Sequence, residues 1–175
     1  MTKKINLKRI TRTPIWIAVG VAFFSFFLHG MGNPKIGQMF LPMHFVALLA
    51  GLVDGPAIGF MTGLLMPVLS TLISGLPPYP MFLFMMAEIG LYGFFSGLLR
   101  KTNVFFNLLI SILIGRLAYA ISYYALGSVL SIKMTPVLSL LLSFLVGLPG
   151  IAIQLIFIPL IYFKLLKISA TQKES

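Results

Sequence analysis

Two charges stand inside long apolar runs, Glu88 within Met81–Tyr92 and Arg116 within Leu108–Tyr119. An ionised group at membrane depth is costly unless it is paired or lines a cavity, so both residues are candidates for ligand contact or for a buried ion pair. At 1.5 Å of rise per residue, Glu88 lies about 12 Å in from the turn near Pro80, and Arg116 about 20 Å in from the opposite end near Asn103. The two therefore reach the same middle-to-outer layer. Two readings stand side by side: a brace between neighbouring helices, or Arg116 facing a polar or anionic ligand with Glu88 orienting it.

Beyond Arg116, Tyr119, Ser122 and Tyr123 follow at spacings of three and four and share one helical face. Tyrosines above a guanidinium offer hydrogen bonds and flat apolar surface, which suits a small vitamin-like ligand in a preformed cavity. Tyr123 and Tyr124 fit an interfacial aromatic belt equally well. His44 falls about one turn inside the outer end of the apolar segment 40–54 and serves either packing or ligand contact. Asn33, Lys35 and Gln38, in the connection before it, either close over a site or are solvated. Asn107 and Gln154 fall nearer the other half, where helix–helix hydrogen bonds are the simpler role. The sequence contains no metal-ligand cluster, nucleophile–base pair or phosphate-binding loop. No catalysis and no cofactor are expected.

The elements that must position these groups follow from composition. Hydrophobic residues make up 59% of the 175 positions and charged residues 9%, with a mean hydropathy of +1.04. That places the chain among integral membrane proteins. A spanning helix takes about 20 apolar residues, so the chain holds about six spans and no separate soluble domain. Punctuation by Gly, Pro and charge puts them at about 14–30, 40–54, 56–74, 80–99, 104–129 and 137–165. The expected architecture is all-α: a single six-helix membrane domain over 1–175, with a basic N-terminal segment at 1–13 and a tail at 166–175. The apolar stretch after the basic N-terminus reads as a retained first span, because no convincing small-residue cleavage site precedes Asn33.

The net charge of +10 sits at helix ends, not on a continuous face with interleaved aromatics, which excludes a nucleic-acid role and makes it a topology signal. Lys3, Lys4, Lys8, Arg9 and Arg12, then Arg100 and Lys101, then Lys164, Lys167 and Lys173 fall on one side; Lys35 and Lys133 fall on the other. The positive-inside rule therefore puts both termini in the cytoplasm. Zero cysteines exclude disulfides and thiolate metal sites. Asp54-Gly55-Pro56 marks a tight hairpin between the second and third spans. In the connection 74–80, Pro77, Pro78 and Pro80 make a stiff outer loop, either a plain turn or one wall of a site. Small residues four apart, Ala18 and Ala22, Gly51 and Gly55, Gly59 and Gly63, Gly93 and Gly97, allow close helix approach.

Several of these segments together resemble the substrate-binding S components of energy-coupling factor transporters. They are Ala18-x-x-x-Ala22, Phe40-Leu41-Pro42-Met43-His44, Gly75-Leu76-Pro77-Pro78 and Met86-Ala87-Glu88-Ile89-Gly90-Leu91-Tyr92-Gly93, set in a chain of six short helices. The resemblance spans nearly the whole chain. It implies a vitamin-capture subunit of the bacterial plasma membrane that works with a transmembrane coupling protein and two cytoplasmic ATPases. It also implies that Ala18 and Ala22 pack against the coupling protein. The ligand cavity should open outward, bounded by the first outer loop, the loop before the fourth helix, and helices four to six. Transport would follow from toppling of the loaded subunit in the membrane. The binding candidates are Arg116, Glu88, Tyr119, Tyr123, His44, Lys35, Asn33 and Gln38. Pantothenate is the first choice of ligand, because similar short S components include pantothenate carriers; Arg116 with Lys35 or His44 could neutralise a carboxylate, and Trp16 as the lone tryptophan argues against a large stacked flavin. Other vitamins stay open, as do a structural membrane protein braced by Glu88 and Arg116 and a stand-alone carrier. The last of these usually shows internal repeats that this chain lacks.

Overall fold

The structure, a computed structural model, describes residues 11–30, 39–131 and 137–174. Among these the fold is all helical. Seven helices run in chain order: α1 (Arg12–Gly30), α2 (Pro42–Asp54), α3 (Pro56–Ser74), α4 (Met81–Leu98), α5 (Val104–Val129), α6 (Val137–Val146) and α7 (Leu148–Glu174). Four are long and apolar enough to cross a membrane: α3, α4, α5 and the Leu148–Ile168 part of α7.

The boundaries have local causes. Pro42 and Pro56 open α2 and α3, where a missing amide hydrogen costs nothing. Between them Gly55 takes φ 99° and donates its N–H to Gly51 O at 2.8 Å, a hairpin geometry that disfavours a side chain. Asn103 caps α5, its side chain accepting from the N–H of Phe105 and of Phe106 at 3.0 and 3.4 Å. The proline-rich loop after α3 is fastened back onto that helix. Ser70 Oγ donates to Leu76 O and Thr71 Oγ1 to Pro77 O, both at 2.7 Å.

The single span expected at 137–165 is two helices. Pro149 cannot donate to residue 145 and its ring would crowd that carbonyl, so a helix arriving from α6 must stop. Gly147 makes the stop, its N–H donating to Phe144 O at 3.1 Å, and α7 restarts as Ile151 N–H donates to Gly147 O at 3.0 Å. At ten residues, α6 is about 15 Å long and reaches only part of the way across a bilayer.

The tightest packing joins α2, α3 and α4 through glycine. A Cβ on Gly59 would stand 2.3 Å from Gly93 O, one on Gly93 2.2 Å from Gly59 O, and one on Gly63 2.2 Å from Ile89 O. The backbones touch. The spacing of four thus marks real contact faces here. Buried polar groups stitch the layers: Ser96 Oγ donates to Leu48 O, Asn107 Nδ2 to Ser96 O at 2.8 Å and Ser111 Oγ to Asn107 Oδ1 at 3.1 Å. Gln154 Nε2 donates to Leu41 O at 3.3 Å. Both amides make the expected interhelical bonds, but Gln154 lies near the start of a new helix and so beside the beginning of α2.

Candidate functional site

At the end of the bundle where α2 and α4 begin, a cavity of about 590 Å³ opens between α2, α4, α5, α6 and the proline-rich loop. Its volume is in the range of small-molecule sites. Most of the wall is apolar, from Met81 and Met85 of α4 to Leu140 and Phe144 of α6, with Pro77 and Pro78 supplying the loop edge. One pole is charged. Arg116 Nη1 lies 2.9 Å from Glu88 Oε1, and His44 Nε2 lies 3.4 Å from the same oxygen. Three helices thus deliver one cluster: α2 brings His44 from its first turn, α4 brings Glu88, and α5 brings Arg116.

Their exposures differ. The Glu88 and His44 side chains are 2% and 3% exposed, whereas that of Arg116 is 18% exposed. Arg116 Cζ lies 5.3 Å from the centroid of the Phe144 ring, a cation–π contact that helps hold the guanidinium in place. Gly147 makes room for it, since a Cβ there would lie 2.8 Å from Arg116 Nη2. Behind the cluster the buried Tyr92 ring meets His44 edge-on at 5.1 Å. Among the described residues, Arg116 Nε and Nη2, both ring nitrogens of His44 and the Tyr92 hydroxyl are buried without a hydrogen-bond partner. Native interiors rarely leave such groups unpaired.

Of the candidates read from the sequence, Arg116, Glu88, His44 and Tyr119 line this cavity. Tyr123 does not. It stacks on Tyr119 at 6.3 Å and takes the edge of Phe84 at 5.3 Å. Phe84, only 2% exposed, also meets Tyr119 edge-on at 6.2 Å. Shared helical face put Tyr123 on the correct side of α5, but Phe84 packs against its ring. Tyr124, read as an interfacial residue, lines the cavity instead. Asn33, Lys35 and Gln38 lie outside the described residues. The segment that forms α6 belongs to the sixth span, which the resemblance placed at the cavity, but its individual residues and the methionines on α4 were not singled out, because a continuous apolar run carries no polar signal.

On the far side of the bundle α1 buries Ile17 and Val21 and sets Gly20 against Met66. Ala18 and Ala22 face outward, in a strip with Ile15, Val19 and Phe23 that are 62%, 49% and 40% exposed. Shallow alanines between larger apolar side chains form a groove suited to another helix.

A search of curated proteins and one of solved structures return no match. A family model described as ECF transporter, substrate-specific component matches residues 8–162, which takes in α1 to α6, most of α7 and every cavity-lining residue. Proteins of this kind are transport subunits that bind a small ligand and work with a coupling protein and ATPases. The chain belongs to the substrate-specific components of ECF transporters and is a multi-pass protein of the cell membrane.

Proposed function

We propose that this chain is one membrane domain that captures a small water-soluble vitamin in the α2/α4/α5/α6 cavity and passes it inward by reorienting against its coupling partner. The observation that carries the ligand reading is the pairing of unlike surfaces: Arg116, its side chain 18% exposed, brings a cation to the cavity beside a wall of methionine, leucine and proline. A ligand with an anionic or carbonyl terminus and a compact apolar middle matches both. Pantothenate is the first candidate, its carboxylate set on Arg116 and its gem-dimethyl group against Met81 and Met85. Glu88 holds the guanidinium in position, and His44 and Tyr119 are the further polar contacts. Asn33, Lys35 and Gln38 are proposed to cover the outer side.

Both termini are assigned to the cytoplasm. Support comes from the basic residues, and from the way the start of α1, the ends of α2 and α4 and the distal part of α7 meet at one end of the bundle, around Arg12, Leu52, Arg100 and Tyr162. The cavity then faces outward. Ala18 and Ala22 are proposed as the contact with the coupling protein. Titration calorimetry of the purified chain with pantothenate tests the ligand, with mass spectrometry of co-purified small molecules alongside. Saturable one-to-one binding is expected. No binding of pantothenate, with a different vitamin recovered from the preparation, would replace the ligand and keep the site.

A further inference from the structure

At the opposite end of the bundle from the ligand cavity lies a second hollow, of about 350 Å³, whose wall includes Arg12, Arg100, Lys101 and Tyr162 together with Leu52, Leu165 and Leu166. Arg12 is held by Asp54, Nη1 to Oδ1 at 2.6 Å. The other Asp54 oxygen accepts from Trp16 Nε1 at 2.7 Å. Asp54 therefore has both oxygens engaged and offsets one of the three cations. Three positive side chains against one carboxylate leave an excess of two charges. Among the described residues neither Arg100 nor Lys101 forms an ion pair. The ligand site uses none of these groups.

We propose that this hollow holds the phosphate of an anionic membrane phospholipid. The shared chemistry is a phosphate oxygen cluster between Arg12, Arg100 and Lys101, and geometry favours a lipid over a free anion. Leu166, which lines the hollow, is 49% exposed, and the first turn of α5, just past Lys101, presents Phe105 and Phe106 at 52% and 61% exposure. A headgroup in the hollow would thus have lipid-facing apolar surface beside it for its acyl chains, which inorganic phosphate cannot use. Basic pockets at the cytoplasmic ends of helices are suited to acidic headgroups in this way.

Native mass spectrometry of the detergent-purified full chain tests the proposal, with dioleoyl phosphatidylglycerol titrated against dioleoyl phosphatidylcholine and, in a separate arm, millimolar inorganic phosphate. Phosphatidylglycerol should be retained selectively, and Arg100→Gln with Lys101→Gln should weaken it roughly twenty-fold, while pantothenate binding at the other end stays unchanged. Lys164→Gln with Lys167→Gln removes the same formal charge from exposed positions of α7 outside the hollow and should weaken it less than about three-fold. Four results would each overturn the proposal: equal loss in the two double variants, equal retention of the two lipids, inorganic phosphate competing as well as the lipid, or unchanged lipid retention with loss of assembly with the coupling partner. The last would assign the cations to an acidic segment of that partner.

Discussion

The Glu88–Arg116 pair can be a brace, a ligand site or both, and a double-substitution cycle separates these readings. In Arg116→Met the carboxylate of Glu88, 1% exposed, loses its cationic partner and keeps neutral-capable neighbours, His44 at 3.4 Å among them. Stranding one member of a buried pair costs about 3–5 kcal/mol, so the single variant should unfold at markedly lower denaturant. Adding Glu88→Gln removes the stranded charge, and the amide can bond the nearby imidazole. The double variant should regain most of that loss, since replacing a buried pair outright is often close to neutral. Ligand binding should behave differently. A charge-assisted bond from the Arg116 guanidinium contributes about 1.5–3 kcal/mol, so its loss weakens binding by roughly ten-fold or more, and Glu88→Gln cannot restore it. Unfolding in mixed detergent micelles gives the first quantity, and titration calorimetry with pantothenate, or with whatever vitamin co-purifies, gives the second. A double variant that binds the ligand within three-fold of the parent would refute the site assignment and leave the pair as a brace.

Two further substitutions probe other parts of the reading. Ala18→Leu fills the exposed groove on α1 without touching the cavity; stability should change by less than about 0.5 kcal/mol and ligand binding should persist, while ATP-dependent uptake in cells is lost, and unchanged uptake would remove α1 from the partner contact. Gly115→Ala sets a Cβ 1.8 Å from the Tyr92 ring, and because Tyr92 is fully buried against His44, the ring must press on the charged cluster; a loss of about 1–3 kcal/mol in stability together with weaker ligand binding is expected, checked by the same two measurements.

Helix positions were largely legible because apolar runs, Pro-opened helices and the Asp54-Gly55-Pro56 turn are local signals. The charged cluster was legible for a different reason: Glu88 and Arg116 are conspicuous against hydrocarbon, and depth counted along each helix puts them in one layer. What escaped is what depends on a neighbour. That Phe84 packs against Tyr123 is a property of how α4 faces α5, and no spacing within α5 reports it. The α6–α7 break was written in Gly147 and Pro149, yet the apolar run continues unbroken across them and hydropathy favours one long span. Tyr92 and Gly115 belong to the same class, a buried ring and the gap it fills, visible only once α4 and α5 are placed together.

The break at Gly147 also explains why the cavity lies where it does. On the α2–α3–α4 side the glycines bring backbones into contact, so that face has no volume to give. Those contacts, with the Ser96 and Asn107 bonds between layers, supply rigidity without using any group of the charged cluster. On the other side α6 ends after about 15 Å, turns at the residue whose missing Cβ admits the Arg116 guanidinium, and hands over to α7, which packs on the beginning of α2 through Gln154 and Leu41. Any residue with a Cβ at 147 would press on Arg116 Nη2, 2.8 Å away. The cost of a buried carboxylate and guanidinium is therefore borne by a half of the bundle that is packed without them, and the short helix leaves the polar pole open to one end only. A capture subunit needs that separation: a site free to exchange its polar partners between ligand and solvent, set beside a frame whose packing uses none of the site's groups.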